Sequence, residues 1–242
     1  MEKIIVLLTG DFKNIFRDRM YFFILLSPLL MGLGFKVIIP LAEDLLSEHF
    51  AFSLQPHYSF IMAFALMLIP MVLGTLIGFM ILEERDQGII SYFSVTPLSK
   101  TRYLIYKLII SMFLSIISSI FILYFLQLVE IKLLLTLPVL LLASLEAPLM
   151  ALVIAAFADN KVEGFAFSKG SGIFYFAPLV GYLLGSRLRF LAGVFPTFWI
   201  PEVFLTIYTD DFGLYLGSLL AGFVVHLVFV YLLLKRFGSR ID

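Results

Sequence analysis

A run of charged residues followed by a short apolar stripe carries the most distinctive chemistry in this sequence. Residues 83–86 read EERD, and Gly88 follows, where the chain can turn. A short apolar helix behind such a turn suits recognition of another protein, because its apolar face can insert into a groove. The alternative is a surface helix that touches only lipid headgroups, and the residues alone do not separate the two. We assign the following residues to partner contact: Glu83, Glu84, Gly88, Ile89, Ile90, Phe93, Pro97 and Leu98.

Glu146 is a second candidate functional residue, because this carboxylate lies well inside an apolar stretch. An acid at the centre of a membrane helix costs about 3 kcal/mol, so Glu146 is a candidate for a position on a substrate path. Two structural alternatives stay open, namely that the acid is protonated or that it binds backbone groups freed by Pro148. Lys36 can be its partner only if the stretch begins near Pro138. Otherwise the two side chains lie at different depths, and Lys36 extends to the outer headgroups.

Sequence motifs for catalysis, metals and nucleotides are absent. His49, His57 and His226 lack the spacing of metal ligands, and the chain has no cysteine for thiolate sites or disulfides. The sequence also lacks the G-x-x-x-x-G-K-[ST] pattern that cradles nucleotide phosphates. We therefore assign no catalytic residue, metal or cofactor to this chain, and we expect any ATP to be bound by a partner subunit. The net charge of zero gives no indication of nucleic acid binding.

The composition places these residues in a membrane. The chain is 62% hydrophobic and 14% charged, whereas soluble domains are about half apolar and about a quarter charged. Crossing a bilayer takes about 20 apolar residues, and several runs reach that length. We predict one all-α, multi-pass domain over residues 1–242 with six transmembrane helices in the cell membrane. The predicted spans are residues 21–41, 59–82, 108–129, 133–158, 173–186 and 213–234.

The two ends of the chain are predicted to lie in the cytoplasm. Residues 1–20 place apolar side chains at three- and four-residue spacing, mostly opposite basic ones, which predicts an amphipathic helix in the membrane interface rather than a signal peptide. Of the 17 basic residues, 13 lie in this helix, in residues 83–107 and 159–169, or in the C-terminal tail. Basic residues concentrate on the cytoplasmic side of membrane proteins, so both termini are expected there.

Residues 187–212 form an unusual segment on the predicted outer side. They follow a span of only 14 residues, and Pro196 and Pro201 interrupt the apolar run. Such a short span fits a tilted or re-entrant segment, and we expect the latter. The alternative is an outer loop that Trp199 and Tyr208 anchor at the interface. Pro196, Trp199 and Pro201 are candidates for an outer gate.

Residues 83–107 resemble the cytoplasmic loop of ABC type-2 exporter permeases. The resemblance lies in EERDQGI at 83–89, TPLS at 96–99, and Lys107 leading into an apolar helix, although Ile89 stands where many relatives have threonine. It implies a coupling helix that contacts an ATP-binding subunit, and a second permease copy that is either identical or different. It also implies short re-entrant helices on the outer side between the last two spans.

We therefore expect the permease subunit of an ATP-driven ABC exporter. Its apolar and aromatic walls favour an amphipathic or lipid-like substrate, such as a drug (as in multidrug efflux), a peptide or a lipid-linked molecule. Its partners would be the ATP-binding subunit, the second permease copy and membrane lipid. A secondary transporter is an alternative, but it needs coupling-ion residues in several spans, and only Glu146 qualifies. An intramembrane enzyme is another alternative, but the sequence lacks the catalytic motifs of such enzymes.

Overall fold

The structure is a computed structural model that describes residues 2–92, 99–184 and 187–241. All regular secondary structure in these ranges is helical, in agreement with the predicted all-α class. Short 3₁₀ turns lie at Gln55–His57, Ser171–Tyr175 and Arg187–Val194. The α-helices are α1 (Glu2–Arg17), α2 (Arg19–Leu25), α3 (Ser27–Phe50), α4 (Tyr58–Asp86), α5 (Ile89–Tyr92), α6 (Lys100–Leu126), α7 (Leu133–Ser144), α8 (Glu146–Phe157), α9 (Lys161–Gly170), α10 (Phe176–Leu183), α11 (Pro196–Thr206) and α12 (Phe212–Ile241).

Four helical stretches among the described residues are long and apolar enough to cross a membrane, namely Gln55–Asp86, Lys100–Leu126, Leu133–Phe157 and Phe212–Arg240. Helices α2 and α3 pass the same test together but are bent by 50° at their junction, so the number rises to five if they form one span. The predicted span at residues 173–186 is not among them, because its main helix, α10, has only eight residues. Six spans therefore stay a prediction.

Helix α4 is the central element of the fold. It is apolar around its whole circumference, and it packs against α6, α8 and α11. Its closest neighbour is α8, because Gly74 and Gly78 face that helix. A Cβ atom at Gly74 would lie 2.3 Å from the carbonyl oxygen of Ala147, and one at Gly78 would lie 3.0 Å from the Cβ of Ile154. Small residues let helix backbones approach closely in membranes, so α4 and α8 are held together by backbone contact.

Helices α7 and α8 form one apolar stretch that is interrupted at Leu145. Pro148 lacks a backbone N–H, so it cannot donate to the carbonyl of Ser144, four residues earlier. At the break, the backbone N–H of Leu145 donates to the carbonyl of Leu142, three residues back, at 3.1 Å, and the hydroxyl of Ser144 donates to the carbonyl of Leu141. The helix resumes at once, which makes Glu146 the first residue of α8. The break therefore positions the acid that the sequence placed inside this stretch.

Helix α1 has one face toward the protein and one face without a protein neighbour. Asp11 and Ile15 are buried on the inner face. On the other face, large apolar side chains are exposed, among them Phe12 at 63% and Phe16 at 53%. Asp18 ends the helix and caps α2, because its carboxylate accepts a hydrogen bond of 2.8 Å from the backbone N–H of Met20. An exposed apolar stripe is what an interfacial helix needs, and contact of this stripe with lipid stays a prediction.

Candidate functional site

A cavity of about 620 Å³ lies between α8, α9, α11 and α12. Cavities of roughly 300–1,000 Å³ accommodate drug-sized organic molecules. The wall is apolar and aromatic apart from Glu146, Ser171 and Thr197. Such a wall can hold an apolar molecule that carries a small number of polar groups. The apolar lining includes Met71, Leu149, Met150, Val153, Phe157, Phe167, Phe174, Pro196, Phe229 and Leu233.

Glu146 is the ionisable residue among those that line the cavity. Its side chain is almost fully buried, with 3% of the residue exposed. One carboxylate oxygen, Oε1, lies 3.2 Å from Nε2 of His226, which is fully buried on α12. No hydrogen bond joins the other oxygen, Oε2, to the residues that the structure describes. The arrangement can therefore receive a positively charged group of an otherwise apolar ligand.

His226, and not Lys36, is the partner of Glu146. The ammonium of Lys36 lies 4.5 Å from the ring centroid of Phe125, away from the cavity. The Glu146–His226 pair could not be predicted from the sequence, because 80 residues separate the two and helix packing brings them together. The one available signal was a histidine inside an apolar helix. Among the described residues, no three His, Asp or Glu side chains lie together as a metal site requires.

Residues predicted to form an outer gate lie on α11. Pro196 begins this helix and lines the cavity, whereas Trp199 and Pro201 are absent from the cavity lining. The indole Nε1 of Trp199 donates instead to the carbonyl of Gly193 at 2.8 Å. With 11 residues, α11 is too short to cross a bilayer, which takes about 20 residues. Its re-entrant position and its role as a gate stay predictions.

The turn beyond α11 is tied to the connection between α6 and α7. Burial first, and then the Glu130 carboxylate, raise the pKa of Tyr208 to about 12. The hydroxyl therefore stays protonated at neutral pH, and it donates to the backbone carbonyl of Glu130 at 2.9 Å. Lys132 donates to the carbonyl of Ile207 at 3.1 Å. These bonds fix the C-terminal end of α11, and its N-terminal residue, Pro196, lines the cavity.

A network of buried charges surrounds Lys107 at the C-terminal end of α4. Nζ of this fully buried lysine lies 2.7 Å from Oδ1 of Asp11 and 2.9 Å from Oε1 of Glu84. The hydroxyl of Tyr106 donates to Asp11 at 3.0 Å, and the hydroxyl of Tyr103 donates to Glu84. Each carboxylate thus has a lysine and a tyrosine as partners. The network joins α1, α4 and α6.

The neighbours of Glu84 are also engaged inside the protein. Glu83 accepts a hydrogen bond from the hydroxyl of Tyr21 and pairs with Lys161 on α9 at 3.0 Å. The guanidinium of Arg85 donates to the carbonyls of Ala155 at 3.1 Å and Ala158 at 2.9 Å, at the end of α8. The charged run was predicted to contact a partner, but its first three side chains bind neighbouring helices of this chain. Their partner role stays a prediction that these contacts do not favour.

The segment after the charged run is only partly described. Gly88 has a φ of +74°, a conformation in which a side chain would be strained, and α5 begins directly after it. Ile89 is 37% exposed, but Ile90 is 2% exposed and packs into the core. The side chain of Ile90 therefore points inward in this structure, and its contact with a partner stays a prediction that this burial does not favour. The remaining predicted contact residues, Phe93, Pro97 and Leu98, lie outside the described residues.

Comparison with known proteins identifies relatives over nearly the whole chain. A family model described as "Fluoroquinolones export permease protein Rv2686c-like" matches residues 11–234. Two proteins of Mycobacterium tuberculosis are similar, namely fluoroquinolones export permease protein MT2760 of strain CDC 1551 / Oshkosh and Rv2686c of strain ATCC 25618 / H37Rv. Each is 27% identical over 234 residues, which cover 96% of this chain and 92% of the relative. No solved structure matches the chain.

Proposed function

Since the chain belongs to the Rv2686c-like family of fluoroquinolones export permease proteins, we propose that it is the membrane subunit of an ATP-driven ABC exporter of the type-2 class. Family membership and the long apolar helices support a membrane permease that acts in drug export. The resemblance of residues 83–107 to a coupling loop supports the finer assignment. In this proposal six spans place both termini in the cytoplasm, and the chain resides in the cell membrane.

The cavity beside Glu146 is the single observation that carries the proposed substrate class. Its apolar wall can take up the body of a molecule that arrives from the lipid, and the carboxylate can take up a cationic group on that molecule. A hydrogen bond to a charged group contributes about 1.5–3 kcal/mol, which corresponds to roughly 10- to 100-fold in affinity. We therefore propose an amphipathic, drug-like cation or zwitterion as the substrate.

ATP hydrolysis would take place in a separate subunit that docks at the segment following Gly88. Ile89 is the apolar residue of this segment that is both described and exposed. The end of α4 is bonded through Arg85 to the end of α8, and α8 carries Glu146 and Val153 on the cavity wall. A displacement of α5 by the docked subunit would thus move α8. Two-state movement of α8 would change access to the cavity.

A second permease copy would complete the transport unit. Large apolar side chains are exposed along α3, α6 and α12, including Val37, Phe113 and Val224 at 59–61%. Such faces require lipid or another apolar surface around them. A second copy would cover part of them and leave the rest to membrane lipid. We propose a dimer of permease subunits that binds two ATP-binding subunits.

Co-purification with the ATP-binding subunit tests the assignment. Introducing a carboxylate in an apolar groove is expected to disrupt docking, so Ile89→Asp should lose the ATPase when the permease is purified in mild detergent. Val162→Asp is the matched control, because Val162 is 79% exposed on α9 and lies outside the coupling segment. Both variants should be recovered in equal folded amounts. A full, stoichiometric ATPase with Ile89→Asp would contradict docking at this segment.

A proton-driven secondary transporter is the second candidate, and the buried Glu146–His226 pair is the observation that favours it. The two candidates differ in their energy source. In inverted membrane vesicles, ATP should drive uptake of an amphipathic cation even when a protonophore has removed the proton gradient. Uptake that depends on the proton gradient and does not depend on ATP would identify the secondary transporter.

A further inference from the structure

His226 is held by two contacts that together define where its hydrogen atoms lie. Nδ1 is 2.7 Å from the carbonyl oxygen of Gly222, and Nε2 is 3.2 Å from Oε1 of Glu146. A carbonyl oxygen can only accept, so Nδ1 must carry a hydrogen. In a neutral imidazole the other nitrogen then has only a lone pair to offer. An ionised carboxylate also only accepts, so Nε2 and Oε1 would face each other without a hydrogen between them.

The contact therefore requires one further proton. It lies either on Nε2, which gives an imidazolium beside a carboxylate, or on Oε1, which gives a neutral imidazole beside a carboxylic acid. Both forms have zero net charge and both satisfy the contact. This suits the surroundings, because His226 is 0% exposed and Glu146 is 3% exposed, and an unpaired charge in such a place is strongly unfavourable.

We propose that the cationic group of the substrate replaces this shared proton. A cation that enters the cavity approaches the free oxygen, Oε2, of Glu146. If the proton remained, the cavity would hold a net positive charge in an apolar environment. The N–H or O–H bond that holds the proton therefore breaks, and the proton passes to solvent. The carboxylate then neutralises the substrate, and His226 remains as a neutral imidazole that donates to Gly222.

This exchange rests on the proposed function, because it takes the cavity to be the substrate site. It makes the Glu146–His226 pair the element that selects a cation, and it makes substrate affinity depend on pH. Binding releases a proton, so affinity rises with pH, by up to roughly tenfold per pH unit. A neutral molecule of the same size would leave the proton in place and would bind independently of pH.

Titratable and charged groups also lie on the other helices that pack around the pair. Tyr175, in the 3₁₀ turn before α10, is close enough to interact electrostatically with the Glu146 carboxylate. Glu202 on α11 pairs with Arg189 at 2.9 Å. The charged residues of α4, α6 and α12 lie toward the ends of these helices, within 83–86, 100–107 and 235–240, and those of α9 are Lys161, Glu163 and Lys169. Beyond Glu146, the residues that line the cavity include no charged side chain.

Calorimetric titration of the full chain in lipid nanodiscs tests the exchange. The probe is tetraphenylphosphonium, an apolar cation that has no proton of its own to lose. Heats measured at pH 7 in phosphate and in Tris, which differ in ionisation enthalpy, give the number of protons released. We expect about one proton per bound cation. Triphenylphosphine oxide, which is neutral and similarly apolar, should bind without releasing a proton.

Two variants show where the proton comes from. His226→Gln removes the imidazole: proton release that persists in this variant places the proton on Oε1 of Glu146, and release that disappears places it on Nε2 of His226. Glu146→Gln lacks the negative charge that attracts the cation and should bind it roughly 10- to 100-fold more weakly. Size-exclusion chromatography of each variant checks that it is folded. If a variant does not fold, the number of protons released by the wild type still tests the exchange.

Each outcome decides the question. Binding of the cation to the wild type without proton release overturns the exchange and leaves the cavity as a binding site. Proton release that persists in Glu146→Gln also overturns it, because the proton then comes from another group. If neither the cation nor the neutral compound binds, the cavity is not the substrate site, and the proposed substrate class fails together with the exchange.

Discussion

Buried carboxylates occur in two regions of this molecule, and their surroundings differ. In the network around Lys107, Asp11 and Glu84 each contact the lysine and a tyrosine hydroxyl. At the cavity, Glu146 contacts His226 through one oxygen, and the other oxygen has no hydrogen-bond partner in the described part of the chain. A carboxylate whose partners are all supplied by its own chain holds helices together. One with a free oxygen on a cavity wall remains available to a ligand.

This contrast changes the meaning of the charged run at the end of α4. Its density of charge suggested a surface for another protein, yet Glu84 is 8% exposed and binds inside the fold. The run therefore fixes the end of α4, the helix from which the proposed coupling segment emerges. In the proposed function, the contact with the ATP-binding subunit is assigned to the residues after Gly88. Glu146, a single acid in an apolar stretch, is the carboxylate that lines the cavity and that we propose to bind the substrate.

Removing the central lysine should produce the largest effect. Lys107→Met leaves Asp11 and Glu84 buried without their counter-ion, and breaking a buried ion pair in this way costs about 3–5 kcal/mol. We expect a lower melting temperature and a reduced folded yield in detergent, measured by fluorescence-detected size-exclusion chromatography. Lys13→Met is the control, because Lys13 is exposed on α1. Equal stability of the two variants would show that the network does not hold the fold.

Neutralising Glu146 should affect transport and leave the fold intact. Glu146→Gln keeps the size of the side chain and removes the charge that attracts a cation, so cation affinity should fall by roughly 10- to 100-fold. The folded amount should match the wild type, since a charge inside the membrane is itself unfavourable. Transport of tetraphenylphosphonium into inverted vesicles measures the change, with Glu130→Gln in an exposed turn as the control. Unchanged transport would remove Glu146 from the substrate path.

A methyl group added at Gly74, where α4 meets α8, should have a smaller effect on stability than the loss of Lys107. Gly74 lies against the backbone of α8 next to Glu146, and a Cβ there would be 2.3 Å from the carbonyl oxygen of Ala147. Gly74→Ala should therefore push α4 and α8 apart and destabilise the protein by about 1–3 kcal/mol. Thermal unfolding in detergent measures the loss. Gly34→Ala, where a Cβ meets nothing within 4 Å, should be neutral or slightly stabilising.

The sequence predicted the helical class and most of the apolar stretches, because a membrane helix must be continuously apolar over its length. It placed a span at residues 173–186, where the structure has a 3₁₀ turn followed by the short helix α10. It could not show that Ile90 points inward, since the direction of a side chain on a four-residue helix depends on the packing of its neighbours. The His226 partner of Glu146 was equally hidden, because α8 and α12 meet only in the folded chain.

Protection of a single cysteine by substrate tests the cavity most directly. The chain has no cysteine, so Val153→Cys on the cavity wall would react alone with N-ethylmaleimide. Val228→Cys on α12 is the control, because Val228 is 49% exposed and does not line the cavity. With tetraphenylphosphonium at ten times its dissociation constant, labelling at 153 should slow by about tenfold, while labelling at 228 stays the same. Equal labelling of position 153 with and without the bound cation would contradict a substrate site in this cavity.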